Sequence, residues 1–399
     1  SGSVNGNGEV VGIAVAVEGW SGYFPIAHEG GGNMDRALVL DWFEEVLHTD
    51  ATKIFHNAMY DVSWIRSMGF YIRGGVIDTL IAASLIDENR WGYALNALGK
   101  QYVGVGKNEK ILNDAAKSWG IDPKADMWRL PAPLVGEYAE QDAVLTLKLW
   151  HALQREISSQ DLWDVFNLET NLFPCLIDMK FKGVRVDAEK ANLLKQELIK
   201  EEKNIYRGIR KLIGFDVEIW AAASIAKAFD EVKLPYDRTE KGAPSFTKNF
   251  LATHPHELPK AIANAREINK AHTTFIDTII KHEHNGRIHA DINQIRSDDG
   301  GTVTGRFSYS NPNLQQIPAR NKDLGPKIRA LFIPEKNHTW GCFDYSQQEP
   351  RIVVHFASLL KLEGSQTIVD QYNAGEADFH QMIADMAGIE RKQAKTINL

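Results

Sequence analysis

The stretch WGCFDYSQQEPRIVVHFA, residues 340–357, joins two different patterns within one short segment. Its first half alternates and is rich in aromatic residues, which predicts a buried strand that ends close to Asp344. Apolar residues then recur at helical spacing from Ile352 onward, so a helix is predicted to begin near Gln347. Pro350 is compatible with this helix, because a residue in the first turn has no intrahelical partner for an N–H group.

The corner between the predicted strand and helix is crowded with polar side chains, namely Asp344, Gln347, Gln348, Glu349 and Arg351. Helix capping explains part of this set. Asp344 or Ser346 would cap the helix, and the positive end of the helix dipole would stabilise the negative charge of Glu349. Capping does not explain two acids, two amides and an arginine at one corner. A carboxylate on a rigid strand end can hold a Mg²⁺ ion that is shared with substrate phosphates. We therefore predict a divalent-cation site at Asp344.

The composition describes an ordinary globular protein that is large enough for two or three domains. The chain has 399 residues, of which 44% are hydrophobic and 24% charged, and its formal net charge is −7. No apolar run reaches the roughly 18 residues of a membrane span. Cys175 and Cys342 cannot form a disulfide framework or a zinc site, which favours a reducing, intracellular compartment.

Strands come first along the chain and helices follow. Up to about residue 154 the pattern predicts a mixed α/β layer domain, with strands at 9–17, 21–28 and 52–57 and an amphipathic helix at 36–48. The chain then becomes helical from about residue 161. A further long helix is predicted over 261–283, and strand character returns over 287–295.

The predicted helix over residues 190–213 carries seven Lys or Arg residues against three Glu. Two interpretations stay open from the residues alone. The charges form a solvated helix face with pairs one turn apart, or they form a surface that contacts nucleic-acid phosphates.

Four ordered segments resemble the A-family DNA polymerases, the DNA polymerase I family. DYSQQEPR (344–351) is similar to the palm motif DYSQIELR, and TVTGRFSYSNPNLQQIP (302–318) resembles the segment TxTGRLSSxxPNLQNIP. Downstream, ADFHQMIADMAG (377–388) and RKQAKTINL (391–399) resemble the D-x-H stretch and the start of the fingers helix. Four matches in order are far more specific than one of them alone.

The resemblance implies roles for the residues around the predicted corner. Asp344 would bind magnesium together with the Tyr345 carbonyl, and Glu349 would select a deoxyribose sugar. Gln347 would support the nucleotide site. Gln348 and Pro350 depart from the family motif, whereas Gln347, Glu349 and Arg351 match it.

The fingers segment would bind the triphosphate of an incoming nucleotide. His380, Arg391 and Lys395 are the matching residues, and the two cations lie four apart on one helix face. Neutralising the triphosphate charge stabilises the transition state. Leu399 stands where the family usually has Phe or Tyr, and we expect it to discriminate against chain-terminating sugars as Phe does.

Further residues match the family's contacts with duplex DNA. Arg306 resembles the arginine that reads the minor groove near the primer end, and Asn313, Gln315 and Arg351 match neighbouring contacts. Such contacts go to groove acceptors that all base pairs share, so they would check base-pair geometry without reading the sequence. In this context residues 190–213 resemble part of the thumb.

The first third of the chain resembles the DnaQ-like 3′–5′ exonucleases through KIFHNAMYDVSWIRSMGF (53–70) and VGEYAEQDAVLTLKLW (135–150). The simpler interpretation makes Asn57 a helix cap and leaves Tyr138 and Asp142 as a surface pair. The resemblance instead implies that Asp61 and Asp142 hold two metal ions about 4 Å apart. Tyr138 would orient the attacking water, and Asn57 would support the site by hydrogen bonding.

Each implied metal site has only part of its carboxylate set. The Asp-x-Glu motif expected upstream of residue 9 is absent from Ser1 to Gly8, and the palm motif with the second acid would follow Leu399. Either the sequence is a fragment of a longer protein or both activities are lost. We expect a fragment, because Asp61, Asp142, Asp344 and Lys395 are all kept.

The resemblance thus implies a multidomain α/β and α+β fold, in which an RNase H-like exonuclease domain precedes a polymerase right hand. We expect the exonuclease at 1–155, a connection at 156–185, the thumb at 186–290, the palm at 291–360 and the start of the fingers at 361–399. The expected partners of this monomer are primer–template DNA, deoxynucleoside triphosphates and replisome proteins, with Mg²⁺ or Mn²⁺ as cofactor and no membrane. The alternatives are a stand-alone 3′–5′ exonuclease and a noncatalytic DNA-binding fragment.

Overall fold

The computed structural model describes residues 8–298, 300–319, 321–375 and 377–397. The chain divides into two compact units, Ser1–Pro334 and Glu335–Leu399. Leu399, for which we predict a role in sugar discrimination, lies outside the described residues.

The first unit opens with an antiparallel hairpin, as predicted. Strands β1 (Gly12–Val17) and β2 (Trp20–Pro25) pair with Ile13 opposite Phe24. Helix α1 (Arg36–Leu47) buries Val39, Phe43 and Leu47 in the cluster that also contains Ile13. Asp35 caps this helix by accepting a hydrogen bond from the Leu38 N–H. The alternation of β1 and the period of α1 therefore place both apolar faces in one core.

A parallel β-α-β unit follows. Strand β3 (Lys53–Phe55) pairs with β4 (Val76–Asp78), and α2 (Ala58–Ser67) lies between them in the chain. Helix α3 (Thr79–Ile86) begins directly after β4 and is buried over most of its length. The strand predicted over 52–57 is confirmed. Both β3 and β4 lead at their carboxyl ends into a helix, which is where polar side chains of a site are expected.

Helix α6 (Pro133–Ser159) packs against β1, β2, β3 and α3. Its second half buries Leu145, Leu149, Leu153 and Ile157 in the core. The shorter elements before it are α4 (Leu95–Leu98), a π-helical turn (Gly99–Val103) and α5 (Lys110–Trp119). The segment 135–150, which contains Tyr138 and Asp142, thus lies within one long helix.

The next part of the first unit is helical, as the sequence indicates from about residue 161. The helices are α7 (Trp163–Lys182), α8 (Ala188–Ile213), α9 (Ala222–Glu231), α10 (Lys248–Thr253), α11 (Glu257–Lys270) and α12 (Asp277–His282). A π-helical turn, Ala271–Ile276, joins α11 to α12, so the predicted long helix is confirmed with a wider turn inside it.

The basic helix α8 has one buried and one exposed face. Its buried stripe consists of Ala191, Leu194, Leu198, Glu202, Ile209 and Ile213. Glu202 accepts hydrogen bonds from Asn269 Nδ2 (2.9 Å) and pairs with His272 Nε2 (2.7 Å). Lys200, Lys203 and Arg207 are exposed. The cations of α8 thus form a solvated face over a packed core.

Short strands close the first unit. β5 (Val184–Arg185), β9 (Arg287–Ile288) and β8 (Glu283–His284) form one sheet, and β10 (Asp291–Asn293) pairs with β11 (Ser308–Ser310). Strands β6 (Asp237–Arg238) and β7 (Pro244–Ser245) form a small ladder, and α13 (Leu324–Arg329) follows β11. The strand predicted over 287–295 is confirmed as two short pieces.

The second unit contains α14 (Gln348–Leu359), α15 (Ser365–Asn373), α16 (Phe379–Ala387) and α17 (Arg391–Ile397). The buried strand predicted to end near Asp344 is wrong, because residues 340–345 are irregular and exposed, with Phe343 97% accessible. A strand needs a hydrogen-bonded neighbour and a packed face. Within the described residues of this unit there is no strand to supply them. The helix start near Gln347 is confirmed.

In the part of the chain that the structure describes, no helix combines the length and apolar character needed to cross a membrane.

Candidate active sites

Helix α6 presents the first pair of functional side chains near its amino-terminal end. Tyr138 and Asp142 lie one turn apart on one face of the helix. Burial raises the pKa of Tyr138, and the neighbouring Asp142 charge raises it further. The pair therefore lies in a shielded site, and its interpretation as a surface pair is wrong.

Asp142 also contacts an ammonium group that the sequence analysis did not assign. Lys107 Nζ lies 2.6 Å from Asp142 Oδ2, with side-chain exposures of 15% for the lysine and 25% for the aspartate. Burial raises the pKa of the Asp142 carboxyl, and the bond from Lys107 acts against that rise. Asp142 Oδ1 is buried and has no hydrogen-bond partner among the described residues. Such an oxygen is suited to a cation, since magnesium prefers carboxylate ligands.

The second acid, Asp61, lies in the first turn of α2 beside another buried acid. Burial, and then the charge of Asp78, raise the pKa of Asp61 to about 7. Burial likewise raises the pKa of Asp78 to about 6, against the effect of its backbone hydrogen bonds. Carboxyls with raised pKa values are candidates for a functional site.

Asp78 caps both α2 and α3, a role that the sequence analysis missed. Its Oδ1 accepts from the Asn57 N–H (2.9 Å) and the Leu80 N–H (2.9 Å), and its Oδ2 accepts from the Ala58 N–H (2.8 Å). The alternative in which Asn57 caps α2 through its side chain is wrong, because Asn57 has a left-handed backbone (φ 68°) and makes no such bond. An Asp between a strand and an apolar helix is a start signal that indicates this role for α3.

His56 directly follows β3 and contacts the first residue of α3. Its Nδ1 lies 2.9 Å from Thr79 Oγ1 at the start of α3. Burial, and then the charge of Lys107, lower the pKa of His56 to about 4. The imidazole is therefore neutral at physiological pH.

In the described residues, no cluster of three or more His, Cys, Asp or Glu side chains is arranged to hold a metal ion. Asp61 and Asp142 therefore do not belong to such a cluster among the described residues.

The second candidate site lies at the start of α14. Asp344 and Tyr345 are exposed in the irregular segment, and Glu349 is exposed in the first turn of the helix. Gln347 precedes the helix with a left-handed backbone (φ 53°) and makes no side-chain cap, so capping by Asp344 or Ser346 is wrong. The carboxylates of this corner face solvent on an ordered helix start.

The Gln347 side chain forms hydrogen bonds with α15, with α16 and with the segment between them. Its Oε1 accepts from the Phe379 N–H (3.0 Å) and the Tyr372 hydroxyl (3.3 Å), and its Nε2 donates to the Ala377 carbonyl (3.4 Å). Arg351 stacks over the Tyr372 ring, with its Cζ 4.6 Å from the centroid. The palm-like motif and the D-x-H stretch are therefore tied together by side chains of this unit.

The cations of α17 lie one turn apart, as predicted. Arg391 and Lys395 are exposed, and Arg391 Nε donates to Asp378 Oδ2 at 2.8 Å. This bond lowers the pKa of Asp378. Asp378 also caps α16 by accepting from the Gln381 N–H, and His380 is buried in the first turn of that helix. The structure thus places His380, Arg391 and Lys395 on two adjacent helices that pack together.

Three of the four residues with predicted duplex contacts lie on the segment around β11 in the first unit, whereas Arg351 lies in α14 of the second unit. Arg306 is exposed, and its carbonyl accepts from Thr302 Oγ1 (2.7 Å). Asn313 Oδ1 accepts from the Gln315 N–H (3.0 Å), and Gln315 Nε2 donates to the Phe307 carbonyl (3.0 Å). The two amides therefore shape the loop that carries them.

Two segments of the chain match models of known protein families. Residues 188–399 match the family model of DNA polymerase family A, and residues 5–158 match that of a 3′–5′ exonuclease. The chain belongs to DNA polymerase family A.

The relatives include phage proteins. A DNA-directed DNA polymerase of Pseudomonas phage M6 is 38% identical over 98% of this chain and 62% of its own length. DNA polymerase DpoZ of Acinetobacter phage SH-Ab 15497 is 32% identical over 89% of this chain and 60% of its own. This chain therefore spans about 60% of the length of these relatives.

A solved structure has the same fold. It is the POL domain of Pol1 from M. smegmatis in complex with DNA primer-template and dNTP, with a TM-score of 0.74. At 21% identity the match covers 97% of this chain and 64% of that one. It confirms the fold expected from the sequence.

Proposed function

We propose that this chain is part of a template-directed DNA polymerase with 3′–5′ proofreading exonuclease activity. The observation that carries the proposal is the second unit, where Asp344 precedes α14, Glu349 lies in the first turn of α14, and Arg391 and Lys395 lie on α17, in the family's order. In this proposal residues 1–155 form the exonuclease, 156–185 the connection, 186–290 the thumb, 291–360 the palm and 361–399 the start of the fingers.

The polymerase reaction is attack by a primer 3′-hydroxyl on the α-phosphate of a deoxynucleoside triphosphate, with release of pyrophosphate. Asp344, with the Tyr345 carbonyl, would hold Mg²⁺ or Mn²⁺, which supplies Lewis-acid stabilisation of the phosphoryl charge. Arg391, Lys395 and His380 bind the triphosphate. Catalysis rests on positioning and on charge stabilisation.

Other residues of the second unit orient the nucleotide and its neighbours. Glu349 discriminates against a 2′-hydroxyl, and Gln347 supports the site through its bonds to Phe379 and Tyr372. Leu399 completes the nucleotide site in this proposal. Arg306, Asn313, Gln315 and Arg351 bind the primer–template duplex.

The exonuclease reaction is hydrolysis of a phosphodiester at a 3′ end. Asp61 and Asp142 would hold the cations, and Tyr138, one turn from Asp142 on α6, orients the water. Asn57 supports the site through its backbone bond to Asp78. The buried Asp142 Oδ1 without a partner among the described residues supports a ligand at this carboxylate.

The two activities are tested with separate substitutions in the complete protein. Asp344→Ala is expected to lower primer extension at least about 100-fold and to spare degradation of a single-stranded 3′ end, and Asp142→Ala should do the reverse. Glu363→Ala changes an exposed acid of the second unit and serves as the matched control. Normal extension by Asp344→Ala would disprove the proposed role of Asp344, and a protein that degrades a 3′ end without extending primers would be a stand-alone exonuclease. A chain that binds duplex without either product would be a DNA-binding module.

A further inference from the structure

The loop between the π-helical turn and α5 brings an ammonium group to a carboxylate of the proposed exonuclease site. Lys107 Nζ lies 2.6 Å from Asp142 Oδ2 and 5.2 Å from the centroid of the Tyr138 ring. The lysine side chain is only 15% exposed. The pair is therefore better shielded from water than a surface ion pair, and its electrostatic effect is larger.

The backbone around Lys107 is held by hydrogen bonds on both sides. The Lys107 N–H donates to Asn96 Oδ1 (2.9 Å), and the Asn108 N–H donates to Gln141 Oε1 (2.7 Å) on α6. A Cβ atom on Gly106 would come within 2.6 Å of Asn96 Oδ1, so the loop passes Asn96 too closely for a larger residue there. The loop is fixed in place, while the four-carbon stem of the lysine can still move the ammonium.

We propose that Lys107 is a tethered cation that competes with a metal ion for Asp142, an inference that rests on the proposed exonuclease function. The ammonium neutralises Asp142 through Oδ2, while the buried Oδ1 has no partner among the described residues. A divalent ion on the same carboxylate would repel the ammonium strongly in a partly buried site.

Lys107 therefore has to withdraw from Asp142 when a metal ion binds. A DNA phosphate is the chemically suited next partner for the released ammonium, because charge-assisted bonds to phosphate are strong. In this arrangement the metal and the DNA bind cooperatively, since each favours the withdrawn lysine. The exonuclease site stays inactive until a 3′ end arrives.

The experiment measures Mn²⁺ binding to the full chain without DNA, from the loss of the paramagnetic resonance signal of free Mn²⁺. An Asp344→Ala background removes the other proposed metal carboxylate, and about pH 8 keeps carboxylates ionised. Lys107→Met keeps the apolar stem and removes the charge, so we expect Mn²⁺ binding at least about tenfold tighter than in the background. Lys107→Arg keeps the charge and should bind Mn²⁺ as the background does.

The matched control is Lys180→Met. Lys180 Nζ lies 2.8 Å from Asp291 Oδ1, and its side chain is also 15% exposed. This substitution removes an equivalent ion pair away from the proposed site and should leave Mn²⁺ binding unchanged. Unchanged or weaker binding by Lys107→Met overturns the inference. Lys107→Gln is the second neutral variant and decides the question where Lys107→Met folds poorly.

Two further outcomes separate this inference from the proposed function. Asp142→Asn added to Lys107→Met should abolish the gain in Mn²⁺ binding, and a gain that survives overturns the competition. A chain that releases nucleotides from a 3′ end but shows no gain in Lys107→Met disproves the competition alone. A gain of Mn²⁺ binding without any release of nucleotides disproves the exonuclease activity alone.

Discussion

The two candidate sites hold their acids in opposite environments. In the first unit Asp78 is buried and raises the pKa of its neighbour Asp61, and Asp142 is shielded beside Lys107. In the second unit Asp344 and Glu349 are exposed at the start of α14. The two candidate sites thus differ in how far their carboxylates are exposed to water. The acids of the first unit are buried or partly buried, whereas those of the second unit are exposed beside the start of α14.

The largest difference should appear when an acid of each kind is removed. Asp78→Ala deprives the Asn57, Ala58 and Leu80 N–H groups of their acceptor, so we expect the free energy of unfolding to fall by about 3 kcal/mol. Asp344→Ala should change it by less than about 0.5 kcal/mol, because that side chain is exposed. Urea denaturation of both variants measures the two values. Equal losses would contradict the contrast between the sites.

The pH dependence of stability sharpens the comparison at His56. Burial and the Lys107 charge lower the pKa of His56 from 6.5 to about 4, so the unfolded chain takes up the proton first as the solution is acidified. The stability contributed by neutral His56 is present above about pH 6.5 and is lost as the pH falls through 4. The difference in unfolding free energy between the protein and His56→Gln should shrink over this window by up to about 3 kcal/mol. A difference that does not vary with pH would refute it.

A smaller effect is expected at the tie inside the second unit. Gln347→Ala removes the acceptor of the Phe379 N–H and the Tyr372 hydroxyl, which should cost about 1–2 kcal/mol of unfolding free energy. Gln348→Ala changes the exposed amide next to it and should cost less than about 0.5 kcal/mol. Thermal denaturation compares the two variants. If both behave alike, Gln347 does not join α14 to α16.

The smallest effect is expected at the ion pair of Arg391 and Asp378. Asp378→Asn keeps a side-chain oxygen for the Gln381 N–H and removes the charge opposite Arg391. Exposed ion pairs contribute little, so we expect a loss of at most about 1 kcal/mol that decreases with added salt. Chemical denaturation at low and high salt measures it. A loss of several kcal/mol would mean that this pair is structural.

Local patterns in the sequence predicted the elements whose apolar faces repeat regularly. The pairing of β1 with β2, the helix α1 and the helix α6 with Tyr138 one turn from Asp142 all follow from residue spacing. The strand over 340–345 failed because a strand depends on partners that its own residues do not encode. The aromatic residues there predicted burial, yet Phe343 is exposed.

The missed residues act over long distances in the chain. Asp78 accepts from the Asn57 N–H, 21 residues away, and Lys107 bonds to Asp142, 35 residues away. Spacing carries no information on such contacts. The Asp at the junction of β4 and α3 was nevertheless a recognisable helix-start signal, and Lys107 in the Gly-rich run GVGK was not. The chemistry of a site is thus easier to predict than its electrostatic partners.

Helix α6 is one rod of 27 residues, about 40 Å long, that carries Tyr138 and Asp142 near one end and much of the core along the rest. Leu149, Leu153 and Ile157 are almost inaccessible to water, so the rod cannot fray without opening the surrounding core. Its central amides should therefore be among the last to exchange their hydrogens with deuterium. The proposed exonuclease residues Tyr138 and Asp142 are therefore carried by a helix whose core half opens rarely.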